Sequence, residues 1–117
     1  MRNSKTVSPR KVGRTRLASA ISYVLNEEGI PPERKGYHYL ACAIELAYRD
    51  REMAGLVCKG LYPAVAKVFS SSHAAVERSI RTAIACGRAA REKEGVKTNA
   101  SFIFRAVEKV KIRLDKR

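Results

Sequence analysis

The stretch Leu61–Gly95, LYPAVAKVFSSSHAAVERSIRTAIACGRAAREKEG, decides the fold class. It reads as a short helix, a three-serine turn and a longer helix. The short helix is expected over Tyr62–Phe69, with Pro63 in its opening turn, where a missing N–H costs nothing. Val65, Ala66, Val68 and Phe69 are its expected apolar stripe. Ser70, Ser71 and Ser72 interrupt the periodicity, because serine hydroxyls compete for backbone bonds and favour turns and N-caps. Ser72 is the expected N-cap of the second helix. In that helix Val76, Ile80, Ala83 and Ile84 recur at helical spacing and make one buried face. Glu77, Arg78, Arg81, Thr82 and Arg88 fall mostly on the other side.

Two helices joined by a tight turn, the second with Arg and Glu in its N-terminal half, is the layout of a helix-turn-helix. Arg can hold guanine O6 and N7 with two hydrogen bonds, and Glu can accept from cytosine N4. A plain helical hairpin with a solvated charged face fits the same pattern.

Working outward, 117 residues suit one domain. Apolar residues make up 45%, enough for a core, and five Tyr, three Phe and no Trp make that core mainly aliphatic. The net charge of +13 favours a polyanionic partner: nucleic acid first, an anionic membrane surface second. No apolar run is long enough to span a bilayer, and no apolar segment of a secretory signal follows Arg16. Cys42, Cys58 and Cys86 are scattered, odd in number and without a CxxC pair, which points to a reducing, cytoplasmic setting without a disulfide framework.

Residues 1–14 hold five cations and no acid, with Ser4, Ser8, Pro9 and Gly13 among them, and read as a disordered basic arm. The helical domain is expected over 15–117. Its first helix starts near Thr15, carries Leu17, Ala20, Ile21, Val24 and Leu25 inward, and ends at Gly29, with Ile30 folding back onto Leu25 ahead of Pro31 and Pro32. A second helix is expected over Gly36–Arg49, with Tyr37, Leu40, Ala41, Ile44, Ala47 and Tyr48 on one face. His38 and Cys42 are four apart there, but two soft ligands do not make a structural metal site, so no metal and no cofactor is expected. Met53, Leu56 and Val57 suggest a short third helix leading through Gly60. Thr98 or Asn99 caps a last helix over Ala100–Leu114, with Ile103, Ala106, Val107, Val110 and Leu114 inward and a strongly basic outer side. The expected fold is an all-α, compact bundle of five to six helices containing the helix-turn-helix.

The segments KGYHYLACAIELAYRD (Lys35–Asp50), GLYPAVAKVF (Gly60–Phe69), AVERSIRTAI (Ala75–Ile84) and TNASFIFRAVEKVKIRL (Thr98–Leu114) resemble, in this order, the C-terminal DNA-binding effector domain of the master sporulation response regulator of endospore-forming bacteria. The resemblance covers about residues 17–114. It implies a compact helical domain that binds a short promoter box, commonly as tandem copies, and acts with RNA polymerase. It implies that Arg78 reads guanine, that Glu77 is the neighbouring acidic base contact, and that Arg81 adds a contact to base or phosphate. Three departures stand out. Only a short arm precedes the matched residues, so no receiver domain or phosphoacceptor is expected. Ala75 stands where the family typically has a DNA-contacting Arg, a loss worth about 1–3 kcal/mol of discrimination. The segment Arg88–Lys97 is shorter than the family's additional helical stretch, in a region implicated in touching RNA polymerase.

Together these features point to a nucleoid-associated regulator that binds double-stranded DNA, with no catalysis and no membrane partner, acting as a repressor or as a competitor of a full-length regulator. Base contacts are expected from Glu77, Arg78, Arg81 and Thr82. Phosphate contacts are expected from Lys and Arg of the basic arm, the turn and the helix ends, and from the backbone N–H groups around Ser72–Ala74 that open the recognition helix; Ser71, Ser72, His73, Ala74 and Arg88 complete the expected DNA-binding set. A small basic RNA-binding or ribosome-associated protein is the alternative; the lack of exposed aromatic or Gly-rich RNA-reading motifs counts against it. His38 and His73 have no nucleophile or carboxylate arrangement around them, and no phosphate-binding glycine signature occurs, so an enzyme is not expected.

Overall fold

In the computed structural model, which describes residues 9–87 and 98–115, every regular element is helical. The order is α1 (Pro9–Glu27), α2 (Lys35–Arg49), α3 (Arg51–Ala54), a single π turn (Val57–Leu61), α4 (Tyr62–Val68), α5 (His73–Ala85) and α6 (Asn99–Asp115). The result is the expected all-α bundle, with α4, its turn and α5 forming the helix-turn-helix.

Helix α1 begins at Pro9, six residues before the expected Thr15. Proline is tolerated in a first helical turn because its missing N–H would have had no partner there. Residues 9–14 therefore belong to the helix and not to the expected arm; residues 1–8 lie outside the described residues. The far end is as expected. Gly29 takes φ 77°, the Ile30 N–H donates to the Leu25 carbonyl at 3.1 Å, and the Gly29 N–H donates to the Asn26 carbonyl at 3.0 Å. This is a Schellman end, and Ile30 and Leu25 are both buried beside it.

Helix α2 is the element on which the others pack. It touches α1, α3, α4, α5 and α6. Gly36, Tyr37, Tyr39, Leu40, Ala43, Ile44 and Ala47 are buried along it. At Gly36 the approach to α5 is so close that a Cβ would stand 2.2 Å from the Ser79 carbonyl oxygen and 2.6 Å from the Ala83 Cβ. The third helix is shorter than expected. Asp50 caps it, its carboxylate accepting from the Glu52 N–H at 3.0 Å, and it stops at Ala54. The π turn then carries the chain into α4 and leaves Leu56 half exposed.

Helices α1 and α6 lie antiparallel: Arg16 near the start of α1 donates to the Leu114 carbonyl near the end of α6, and Glu28 beyond the end of α1 pairs with Lys109. Glu28 is the buried carboxylate of the described residues, and the ammonium answers the charge that burial would otherwise strand. Thr98 caps α6, its Oγ1 accepting from the Ser101 N–H at 3.0 Å, and Asn99 is the first helical residue. Ile103, Ala106, Val107 and Val110 are buried as expected, joined by Phe102, while Leu114 is partly buried.

Replacing Gly36 by Ala forces either α2 or the α5 backbone to move, because the nearest atom is a carbonyl oxygen and not a flexible side chain. Overpacking of this kind costs about 1–3 kcal/mol, and contact with backbone places it at the upper end. Gly36→Ala is expected to lower the thermal midpoint by roughly 10 °C, measured by circular dichroism at 222 nm.

Candidate nucleic-acid interface

The turn between α4 and α5 is built from two helix ends. Helix α4 stops in a second Schellman arrangement, with the Ser71 N–H donating to the Ala66 carbonyl at 2.8 Å and the Ser70 N–H to the Lys67 carbonyl at 3.4 Å. Ser70 holds the left-handed position, φ 52°, where glycine is the usual residue. Ser72 then caps α5, its Oγ accepting from the Ala75 N–H at 3.1 Å. The three serines thus divide the work: the first turns the chain, the second closes α4, the third opens α5.

The expected stripe of α4 is half right. Val65 and Ala66 are buried, but Val68 is 63% and Phe69 41% exposed. Leu61 and Tyr62 take their places in the core. Phe69 keeps one edge against the Tyr39 ring, centroids 5.0 Å apart. In α5, Val76, Ile80, Ala83 and Ile84 are all buried, as the spacing predicts.

The other face of α5 carries His73, Ala74, Arg78, Arg81 and Thr82, all exposed. Positions 74, 78, 81, 82 and 85 follow the i, i+4, i+7, i+8, i+11 order of one helical face. Arg78 has no ion-pair partner among the described residues, so its guanidinium is free to meet a ligand. Glu77 sits at the edge of this face, partly buried, and its carboxylate accepts from Arg81 one turn on. Ser71 is partly buried and its N–H is spent on Ala66, which leaves its hydroxyl. The N–H groups of His73 and Ala74 have no protein acceptor among the described residues and open the positive end of α5. Ala75 is partly buried. Arg88 lies outside the described residues, as does the rest of segment 88–97.

Two features of the surface are not in the sequence pattern. Lys67, in the last turn of α4, is exposed beside the turn. Asn99 reaches from the first residue of α6 to donate to the Tyr62 hydroxyl at 2.8 Å and to the Glu77 carbonyl at 3.3 Å, so one amide ties α4, α5 and α6 together. These partners are 37 and 22 residues apart, and no local rule pairs them.

Residues 21–111 match the family described as Sporulation initiation factor Spo0A C terminal. The chain belongs to that family. The match takes in α2 to α5 entirely, most of α6 and the last seven residues of α1. The Spo0A C-terminal domain is a DNA-binding domain of sporulation regulation, which makes double-stranded DNA a partner of this chain. Among the described residues no helix is long and apolar enough to cross a membrane, and no cluster of three metal-ligating side chains occurs. Cys42 and Cys86 are free thiols, and His38 is exposed one turn from Cys42. Burial, helped by the nearby Glu45 charge, pushes the Cys42 thiol above its usual range and keeps it protonated.

Removing the Ser72 hydroxyl by Ser72→Ala is expected to lower unfolding free energy by about 1 kcal/mol, the usual worth of an N-cap. Ser70→Gly is expected to raise it by up to about 1 kcal/mol, since glycine takes the left-handed position without penalty. Urea titration of the two variants beside wild type measures both signs.

Proposed function

We propose that this protein is a sequence-specific transcription regulator that lays α5 in the major groove of a promoter box. The observation that carries the reading is Arg78: exposed, free of any carboxylate among the described residues, and central on the face of α5 opposite its buried stripe. Its two parallel N–H groups suit guanine O6 and N7. Glu77 accepts from cytosine N4 beside it and exchanges its Arg81 partner for the base on binding. Arg81 and Thr82 lie further along the same face and reach base edges or phosphate. Ser71, Ser72, His73 and Ala74 hold a phosphate at the start of α5, through side-chain groups and through the two open N–H groups. Arg88 is a further DNA contact of this reading, and Lys67 adds a cation beside the turn.

Copies bind side by side on tandem boxes, as the family resemblance implies. Thirteen residues, 86–98, separate α5 from α6. The stretch is shorter in sequence than the polymerase-facing stretch that the resemblance implies, which favours occupancy of promoter boxes as repressor or competitor over activation.

Arg78→Ala is expected to lose about 1–3 kcal/mol of discrimination at one base pair. A mobility-shift series on the selected box, its single-base variants and a scrambled duplex checks this; equal loss on every duplex contradicts base reading by Arg78. In a promoter–reporter strain, the protein expressed alone is expected to lower or leave unchanged the output of a box-bearing promoter, and strong activation contradicts the repressor reading.

A further inference from the structure

The recognition unit is not where most of the positive charge lies. From Tyr62 to Ala85, three cations (Lys67, Arg78, Arg81) face one acid (Glu77), a net +2. Helix α1 has four cations (Arg10, Lys11, Arg14, Arg16) and one acid (Glu27), and α6 has four (Arg105, Lys109, Lys111, Arg113) and two acids (Glu108, Asp115), so the pair carries +5. The chain on either side of that pair, residues 1–8 and 116–117, adds Arg2, Lys5, Lys116 and Arg117 and no acid.

On α6 the cations are aligned. Arg105, Lys109 and Arg113 follow at i, i+4 and i+8 and share one line of the helix surface. That line runs beside α1, because Lys109 pairs with Glu28 and the Arg113 guanidinium lies over the Tyr23 ring, 3.4 Å from its centroid. Arg16 of α1 meets the end of the same line at the Leu114 carbonyl. Only Lys109 is neutralised. Arg16, Arg105 and Arg113 are exposed and have no carboxylate partner among the described residues. A stacked ring and a carbonyl hold two of them in place without cancelling their charge.

This ridge begins at Arg105, about 9 Å along α6 from Asn99 at 1.5 Å per residue, and runs away from α5 toward Arg113 and Arg16. Helix α6 meets α4 and α5 at its first residue, through Asn99, and meets Arg16 at Leu114. Fifteen residues of helix separate the two, about 22 Å at 1.5 Å per residue. Helix α1 packs on α2 and α6, whereas α4 packs on α5 and α2. A helix seated in a groove about 12 Å wide touches the phosphates that border it; a ridge that leads away from α5 along α6 and α1 is turned toward others.

We propose that the basic ridge between α1 and α6 — Arg16, Arg105, Lys109 and Arg113 — is a second docking surface that takes the sugar–phosphate backbone of a separate duplex segment. One molecule then holds two stretches of DNA, one read by α5 and one gripped without sequence preference by charge alone. The inference rests on the reading of α5 as the box-reading helix.

The test is a bridging assay with the full chain. A duplex selected by the protein from a random pool is fixed to beads, protein is added, and a fluorescent 60-base-pair duplex of scrambled sequence is offered at low salt. Wild type is expected to retain the fluorescent duplex in linear proportion to bound protein. The variant R16Q/R105Q/R113Q is expected to retain at least fivefold less, while its affinity for a short box duplex stays within threefold of wild type. Arg105→Glu alone, at a residue with no ion-pair or hydrogen-bond partner among the described residues, is expected to cut retention at least twofold with an unchanged thermal midpoint. Four results overturn the proposal: no retention by wild type; retention equal in wild type and Arg105→Glu; retention rising with the square of bound protein, which means two copies form the bridge; or box affinity falling in step with retention, which places the ridge on the same duplex. Arg78→Ala, run in parallel, reports separately on α5: if it leaves box affinity and preference intact, the reading of α5 fails whatever the ridge does.

Discussion

The tightest glycine seat among the described residues is between backbone and backbone. At Gly36 the start of α2 lies on the Ser79 carbonyl of α5 with no room for a single carbon. Everything about the presentation of α5 depends on that seat. Helix α2 also touches every other helix, so the seat transmits the position of the whole core to one side of α5. The buried residues Val76, Ile80, Ala83 and Ile84 complete the seating, and what remains outside is a face whose direction is decided by its back. A recognition surface has to be rigid before it is selective, because a side chain aimed at a base edge loses its hydrogen bonds with small misplacement.

The turn before α5 shows how that rigidity coexists with local strain. Ser70 in a left-handed conformation costs about 1 kcal/mol or more relative to glycine. The hydrogen bonds that end α4 and the Ser72 cap that opens α5 hold it there. At the far side, the Asn99 amide spans three helices and replaces with a directional contact what apolar packing alone would leave free to slide.

What could be read from the sequence was what local chemistry decides. The Ser72 cap, the Gly29 helix end and the inward stripe of α5 each follow from residues within a few positions of one another. The stripe of α4 departs from the expected one at Val68 and Phe69 because two turns of helix hold too few apolar residues to fix a phase, and Leu61 and Tyr62, just ahead, take the core positions. Helix α1 runs ahead of the expected Thr15: Pro9 and Gly13 read as breakers, although proline is at home in a first turn. The π turn and the Asn99 ties depend on distant packing and leave no periodic trace. At the interface, the exposure of Arg78 and Thr82 follows from the helical period, while the engagement of Glu77 by Arg81 is an i, i+4 relation that the spacing already contained.

The fixation of both ends of segment 88–97 has a consequence for how such a domain can diversify. On one side Gly87 is wedged against the Glu28 carbonyl and the Ile30 side chain; on the other, Thr98 and Asn99 are pinned by a cap and by the amide ties. Chain inserted between two immobile posts changes closure entropy only slowly, by about 0.6 kcal/mol for each doubling of length. The bundle and its reading face therefore need not change when that stretch lengthens or shortens. It is a socket: the two posts that bound it hold their places in the bundle whatever length of chain runs between them.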